Sequence, residues 1–218
     1  MSCSQGIQII HEDHDLLVLD KPAGLLCVPG RGADKQDCLS ARVQACFPDA
    51  LVVHRLDMAT SGLLLMARGI TMQRALNRLF ERREIHKRYL AVVAGCLAPA
   101  QQPDGWGLID LPIALDWPRR PLRIIDVAAG KPSQTRWRTV AVDTAANSSR
   151  VELEPVTGRS HQLRVHLLAL GHPILGDALY GPPTARARSA RLLLHASALR
   201  LVHPLSHAAL YFESPPAF

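Results

Sequence analysis

The segment HRLDMATSGLLLMAR, residues 54–68, sets a dense polar group against an apolar run. His54, Arg55, Asp57, Thr60 and Ser61 stand immediately before Leu63, Leu64, Leu65, Met66 and Ala67. A lone carboxylate beside an arginine suits a reaction that needs a nucleophile or a base. Glycoside hydrolysis usually pairs two carboxylates, and no second acid accompanies Asp57 in this motif.

A second concentration is TGRSHQLRVH, residues 157–166. Arg159 stands at or just before a helix start, where free amides and the dipole favour anions and disfavour a cation. It is either half of a structural salt bridge or a hold on an anion, whether phosphate or catalytic carboxylate. Gln162 and Arg164 add donors nearby. Tyr89, in HKRYLAVV, sits at a strand start beside Lys87 and Arg88. It is either a packing residue or a face on which a splayed-out base stacks.

Metal and nucleotide chemistry find little support. His11-Glu12-Asp13-His14 is rich in ligand types but falls in the polar link between two short apolar runs, and it reads as a solvated turn. His161 and His166 are five apart and face different sides of a helix. That pair offers neither the i, i+4 spacing nor an HExxH pattern, so a zinc hydrolase is unsupported. Neither GxxxxGK[ST] nor GxGxxG occurs, which leaves a nucleotide cofactor without a cradle. No metal and no cofactor is expected.

These side chains need elements to hold them. Residues 16–19 (LLVL) read as a buried strand closed by the turn-forming set Asp20-Lys21-Pro22-Ala23-Gly24. Asp37 is placed to cap a helix whose Leu39, Val43, Cys46 and Phe47 fall at i, i+4, i+7 and i+8. Residues 63–67 form a strand, and Thr71 caps a second helix with Met72, Leu76, Leu79 and Phe80 inward. Residues 89–94 make another strand, stopped by Gly95. The Pro- and Gly-rich middle, 99–133, holds short strands at best. Strands follow at 134–142 and 150–154, the latter alternating so that one face is wet. Residues 160–170 form a helix with Leu163, Leu167 and Leu170 on one face and Gly171 as terminator. Residues 191–202 and 209–212 are closing strands, and 182–190 is a mobile surface loop. Strands outnumber helices without alternating regularly with them. The class is α+β, with a mixed or antiparallel central sheet flanked by helices.

The chain has 218 residues, 48% apolar and 20% charged, as in soluble globular proteins. No run approaches the ~18 apolar residues of a membrane span, and MSCSQ is no signal peptide, so a cytoplasmic location is expected. Five scattered cysteines without a CxxC pair point to reduced thiols. Net charge is +6, and its distribution is uneven. Residues 68–88 hold seven bases against two acids and residues 119–138 six against one, a net +5 each, leaving the remainder at −4. Two basic blocks are either solvated faces or a surface that follows a phosphate backbone, and their density beside the polar cluster tilts the reading towards RNA or DNA.

Together with DKPAGL at 20–25, KRYLA at 87–91 and RLLLHA at 191–196, the two polar motifs resemble the RluA family of pseudouridine synthases. The resemblance runs from about residue 10 to the C-terminus. HRLDMATSG, LPIALDWPRRP, GKPSQT and TGRSHQLRVHLLALGHPILGD are closest to the short, dual-specificity members. The resemblance implies the pseudouridine synthase fold, with an active-site cleft between two lobes. It implies one catalytic domain over residues 1–218, without the N-terminal S4-type module that many relatives carry. It also implies isomerisation of uridines in structured RNA, specifically a tRNA anticodon stem-loop, a 23S rRNA hairpin, or both. A monomer that engages neither DNA nor membrane is expected.

On this resemblance Asp57 is the essential carboxylate, Arg159 pairs with it, and Tyr89 stacks on the target base and assists proton transfer. Leu194 lines the pocket, and Arg55 fills the space left by the flipped nucleotide. His54, Leu56, Thr60, Lys87, His161, Gln162 and Arg164 complete the substrate-binding set. The competing reading is a non-catalytic RNA-binding or ribosome-assembly protein on the same fold. Such a protein would have no need of Asp57, Tyr89 and Arg159 together.

Overall fold

A computed structural model describes residues 6–218. Residues 1–5, which include Cys3 and the start read above as no signal peptide, lie outside the described residues. The elements in chain order are β1 (Gln8–Glu12), β2 (Leu16–Lys21), α1 (Leu39–Gln44), β3 (Ala50–Val52), β4 (Ser61–Arg68), α2 (Gly69–Glu81) and β5 (His86–Ala94). Then follow β6 (Gly107–Asp110), β7 (Ile113–Leu115), β8 (Arg123–Ile125), β9 (Gln134–Asp143) and β10 (Ser148–Pro155). The chain closes with α3 (Gln162–Ala169), α4 (Pro183–Arg186), β11 (Leu194–Val202) and β12 (Ala209–Glu213). The class is α+β, as expected. Among the described residues no helix is long and apolar enough to cross a membrane.

The chain divides into two compact units, the first running up to Lys87 and including His195–Ala217. Its strands lie in the order β1-β2-β4-β11, with β12 on β11 and β3 on β4. Pairing is antiparallel except between β4 and β11, which run parallel through His195↔Ser61 and Ala196↔Gly62. Leu16–Leu19 on β2 and Leu63–Ala67 on β4 are buried without a break. Both faces of these strands are covered, hence continuous apolar runs in place of alternation. Leu16, Val18, Leu63, Leu65, Leu199 and Leu201 form a core capped by Met72, Ala75 and Leu76 of α2.

Both helix starts in this unit differ from expectation. Thr71 lies inside α2, which begins at Gly69. Gly69 takes a φ of +79° and gives its N–H to the Asp49 carbonyl, so the chain turns into the helix three residues early, with Arg68 at the cap position. Asp37 does not cap α1, because its carboxylate is taken by Arg42. The first helical amides are met instead by the backbone, Leu39 N–H by Leu26 O and Ser40 N–H by Cys27 O. Cys27 and Cys38 are buried free thiols and Cys96 is an exposed one.

The second unit comprises Arg88–Leu194 and Phe218. Its strands run β5-β10-β9-β6, all antiparallel, and β7 pairs with β8 as a separate hairpin. On β10, Val151 and Leu153 are buried while Glu152 and Glu154 face outward, the alternation expected. Those two glutamates stand opposite Arg138 and Arg136 on β9 and also pair with Arg88. Much of the apparent basic surface is therefore neutralised across strands. Summing charge along the sequence could not register carboxylates that arrive from a neighbouring strand. Helix α3 starts at Gln162, not Ser160, and every residue from Gln162 to Leu167 is buried, leaving only Leu168 and Ala169 at its end exposed. The 182–190 segment, expected to be a mobile loop, contains α4, with Ala185 buried and its carbonyl bound by Gly176 N–H.

The TSG of the polar motif has a steric explanation. Gly62 has a φ of +108°, and a Cβ there would stand 2.3 Å from the Ala196 carbonyl oxygen and 2.6 Å from its nitrogen. Both atoms are backbone within the parallel β4–β11 pair and cannot yield. Gly62→Ala should therefore destabilise the protein by roughly 2–6 kcal/mol, combining an unfavourable backbone region with overpacking. Urea unfolding checks this; a midpoint unchanged from wild type would refute the close-approach argument.

Candidate active site

Asp57 lies half-buried in the loop between β3 and β4, where its carbonyl accepts the Thr60 N–H at 3.0 Å and closes a turn. Thr60 is itself buried at this corner. The residues on either side of Asp57 are pinned from below. The Cys27 thiol donates to the Leu56 carbonyl and accepts the Leu56 N–H, both at 3.2 Å. On the other side, the Met58 carbonyl accepts the Gly24 N–H at 2.8 Å and the Lys21 ammonium at 3.0 Å. Lys21 is fully buried, and its Nζ also donates to the carbonyls of Pro22 and Leu25, each at 2.8 Å. Leu56 is buried and belongs to this support, whereas Arg55 is exposed. Burial pushes the Cys27 thiol up and keeps it protonated as the donor to Leu56.

His54 does not face solvent as a binding group. Its Nε2 accepts the Leu65 N–H of β4 at 2.8 Å, and its ring lies 4.8 Å from that of Phe80 on α2. Desolvation, reinforced by the nearby Lys87 charge, brings its pKa down to about 3. The imidazole is thus a neutral acceptor, and its expected substrate-binding role gives way to a structural one. Lys87 sits over the other side of this cluster, its Nζ 5.8 Å from the Phe80 ring centre, and burial lowers its pKa. A partly desolvated ammonium is well suited to an anionic partner.

Ser61 and His195 join the two parallel strands through side chains as well as backbone. Ser61 Oγ lies 2.9 Å from His195 Nδ1, and His195 Nε2 lies 3.0 Å from the Ser214 carbonyl. A carbonyl can only accept, so Nε2 carries the proton and Nδ1 takes the Ser61 hydroxyl. Ser214 in turn donates to the Asp20 carboxylate. Leu194, next to His195, is buried.

In the second unit, Arg159 is exposed on the turn before α3, its N–H held by Gln162 Oε1 at 3.0 Å and its Nε 3.4 Å from the Pro132 carbonyl. Gln162 is buried and fully engaged. Its oxygen also meets the Thr157 hydroxyl at 2.7 Å, and its amide donates to Gln134 O and Thr135 Oγ1. Arg164 is buried and makes a two-pronged pair with Asp177 at 2.6 and 2.8 Å. Burial alone would raise the Asp177 carboxyl, but Arg164 and the amides of Leu179 and Tyr180 outweigh it and hold it below the usual range. Gln162 and Arg164 thus belong to the scaffold that presents Arg159, which corrects their expected role as substrate donors. His161 adopts a left-handed φ of 58°, and its Nδ1 lies 2.6 Å from the Tyr180 hydroxyl. Tyr89 is buried at 9% exposure on β5.

Lys21, Cys27, Tyr180 and Asp177 were not legible as site residues. Lys21 and Asp177 sit in turn-like strings, where a charged residue reads as solvated. Two outcomes follow from this geometry. Lys21→Met should cost about 2–4 kcal/mol by leaving buried carbonyls unpaired, seen as a lower urea midpoint with unchanged slope; a wild-type midpoint would contradict it. Because the folded state keeps His54 neutral, unfolding takes up a proton between pH 6.5 and about 3. This stabilisation is complete above pH 6.5 and is lost as pH falls, by up to ~1.4 kcal/mol per unit. The wild type should lose stability more steeply than His54→Gln over that window, and parallel pH series would disprove the assignment.

A family model described as RNA pseudouridylate synthase matches residues 15–169, a span that contains Asp57, Tyr89 and Arg159. The dual-specificity RNA pseudouridine synthase RluA of Escherichia coli K12 is 48% identical over 96% of this chain and 93% of its own length. The protein of the same name from Yersinia pestis is 46% identical over 96% of this chain and 99% of its own. Among solved structures, human RNA pseudouridylate synthase domain containing 1 superposes with a TM-score of 0.78 at 31% identity, covering 100% of this chain and 86% of that one. Near-complete coverage at this identity leaves one conclusion: the chain belongs to the RNA pseudouridylate synthase family.

Proposed function

We propose that this protein isomerises uridine to pseudouridine within structured RNA, with Asp57 as the reacting carboxylate. The bond from uracil nitrogen to the sugar breaks, the base turns in place, and a carbon of the ring rejoins the sugar. The observation that carries the reading is the support beneath Asp57. Leu56 and Met58 are each tied to the 21–27 segment, so the one carboxylate of the HRLD motif is held on a fixed backbone. A catalytic group needs that constancy of position more than it needs strength of binding. A merely RNA-binding protein would have no use for it.

The remaining roles are assigned on the same reading. Arg159 is the guanidinium assigned to the reacting carboxylate, Tyr89 the aromatic face for the flipped base, and Leu194 the apolar lining. Arg55, exposed beside Asp57, takes the place of the displaced nucleotide. Lys87, His161, the exposed arginines Arg74 and Arg78 on α2 and Arg82 just after it meet phosphates. The substrates are a tRNA anticodon stem-loop and a hairpin of 23S rRNA, in keeping with the dual specificity named for the relatives. Extrusion from a loop costs a few kcal/mol, least where the base is unpaired. The protein acts in the cytoplasm as a monomer.

RNA carrying tritium at carbon 5 of uridine separates the alternatives. Wild type should release tritium, and Asp57→Ala should lower that rate by roughly a thousandfold or more while binding RNA as before. Free uracil would identify a hydrolase, and equal rates for the two proteins would remove Asp57 from the chemistry.

A further inference from the structure

The second unit carries an aromatic platform that none of the roles above uses. Trp117, between β7 and β8, is 66% exposed, the most open of the aromatic side chains described as exposed. The Arg120 guanidinium lies 4.7 Å from the centre of its ring and covers one face. No carboxylate among the described residues is within ion-pair distance of Arg120. The indole thus presents a free face beside an unneutralised cation. Trp106 makes the contrast: Arg88, Arg136 and Arg138 surround it at 4.8–5.9 Å, and all are paired with carboxylates.

The loop that carries Trp117 is rigidly closed. Asp116 N–H donates to Leu122 O, Leu122 N–H to Arg119 O, and the buried Asp116 carboxylate holds the Arg119 side chain at 2.7 Å. An exposed tryptophan on such a frame costs little entropy on binding. The loop is also wired to the Arg159 segment within this unit. Tyr180 accepts the Arg123 N–H at 2.9 Å, and its hydroxyl is shared with His161, two residues from Arg159. Arg123 Nε, at the base of the hairpin, is the buried side-chain nitrogen without a hydrogen-bond partner among the described residues.

The geometry points to Trp117 and Arg120 as a stacking clamp for an unpaired nucleobase of the substrate RNA and its phosphate, setting which RNA loops are accepted. A flat aromatic face beside a guanidinium offers stacking together with charge, which is the chemistry that single-stranded RNA presents in return. The inference rests on the proposed RNA isomerase reading but is read out separately, by binding.

The test uses the full chain and a uridine-containing stem-loop RNA, with Kd from equilibrium binding and kcat and KM from tritium release. Trp117→Ala should raise Kd and KM about tenfold, leave kcat within about twofold, and keep the thermal midpoint of the wild type. Trp117→Phe, which keeps a stacking face, should restore most of the affinity. Arg120→Gln should reduce the slope of log affinity against log salt by about one. Wild-type Kd in Trp117→Ala, or a loss of affinity tracked by a falling thermal midpoint, would overturn the clamp. If the wild type bound RNA without releasing tritium, the isomerase reading would fail, and the Kd comparison would still decide the clamp.

Discussion

The ammonium of Lys21 is wholly withdrawn from solvent and bonds the carbonyls of Pro22, Leu25 and Met58. Burying a charge costs several kcal/mol unless its hydrogen bonds are all met. The 20–25 turn and the Asp57 loop must therefore arrive together, since neither alone supplies the acceptors. Once they have, Met58 cannot shift without stranding a buried cation. Cys27 repeats the arrangement on the other side of Asp57 with a weaker pair of bonds to Leu56. The motif carboxylate sits between two such fixed points.

Backbone contacts extend the same constraint into the core of the first unit. Gly62 lets β4 approach β11 closely enough that no side chain could intervene, and Ser61, His195, Ser214 and Asp20 link the strand ends through side chains. His54 adds a neutral acceptor to Leu65 of the same strand. Residues 54–62 thus consist largely of groups that fix the loop around the half-buried Asp57 and the exposed Arg55. The density of polar residues in the motif reflects how many bonds are needed to hold one carboxylate still.

The second unit solves a parallel problem for Arg159. A guanidinium before a helix N-terminus is electrostatically misplaced, and the dipole alone would not keep it there. Gln162 holds the turn by accepting from Arg159 N–H while donating to Gln134 and Thr135, and the Arg164–Asp177 pair anchors the helix behind it. The cost of burying Arg164 is offset by its two-pronged partner. The same economy of polar groups neutralises Arg88, Arg136 and Arg138 against Glu152 and Glu154. The exposed arginines of α2 and Arg120 of the Trp117 loop stand outside these pairs.

What the sequence determined by itself was periodicity and motif. The apolar runs at 16–19 and 63–67, the alternation at 150–154 and the order of the HRLD and TGRSHQ motifs were sufficient for the α+β class and the family, because burial and local spacing are written along the chain. Helix starts were less legible, since Gly69 and the carbonyls of Leu26 and Cys27 took the place of the expected side-chain caps. Only the tertiary structure decided which polar groups are free to act. Arg164, Gln162, His54 and Lys21 look alike as hydrogen-bonding residues in sequence. Their partners at Asp177, Gln134, Leu65 and Met58 are distant in the chain, and a polar group already bound inside the protein has little left to offer a substrate.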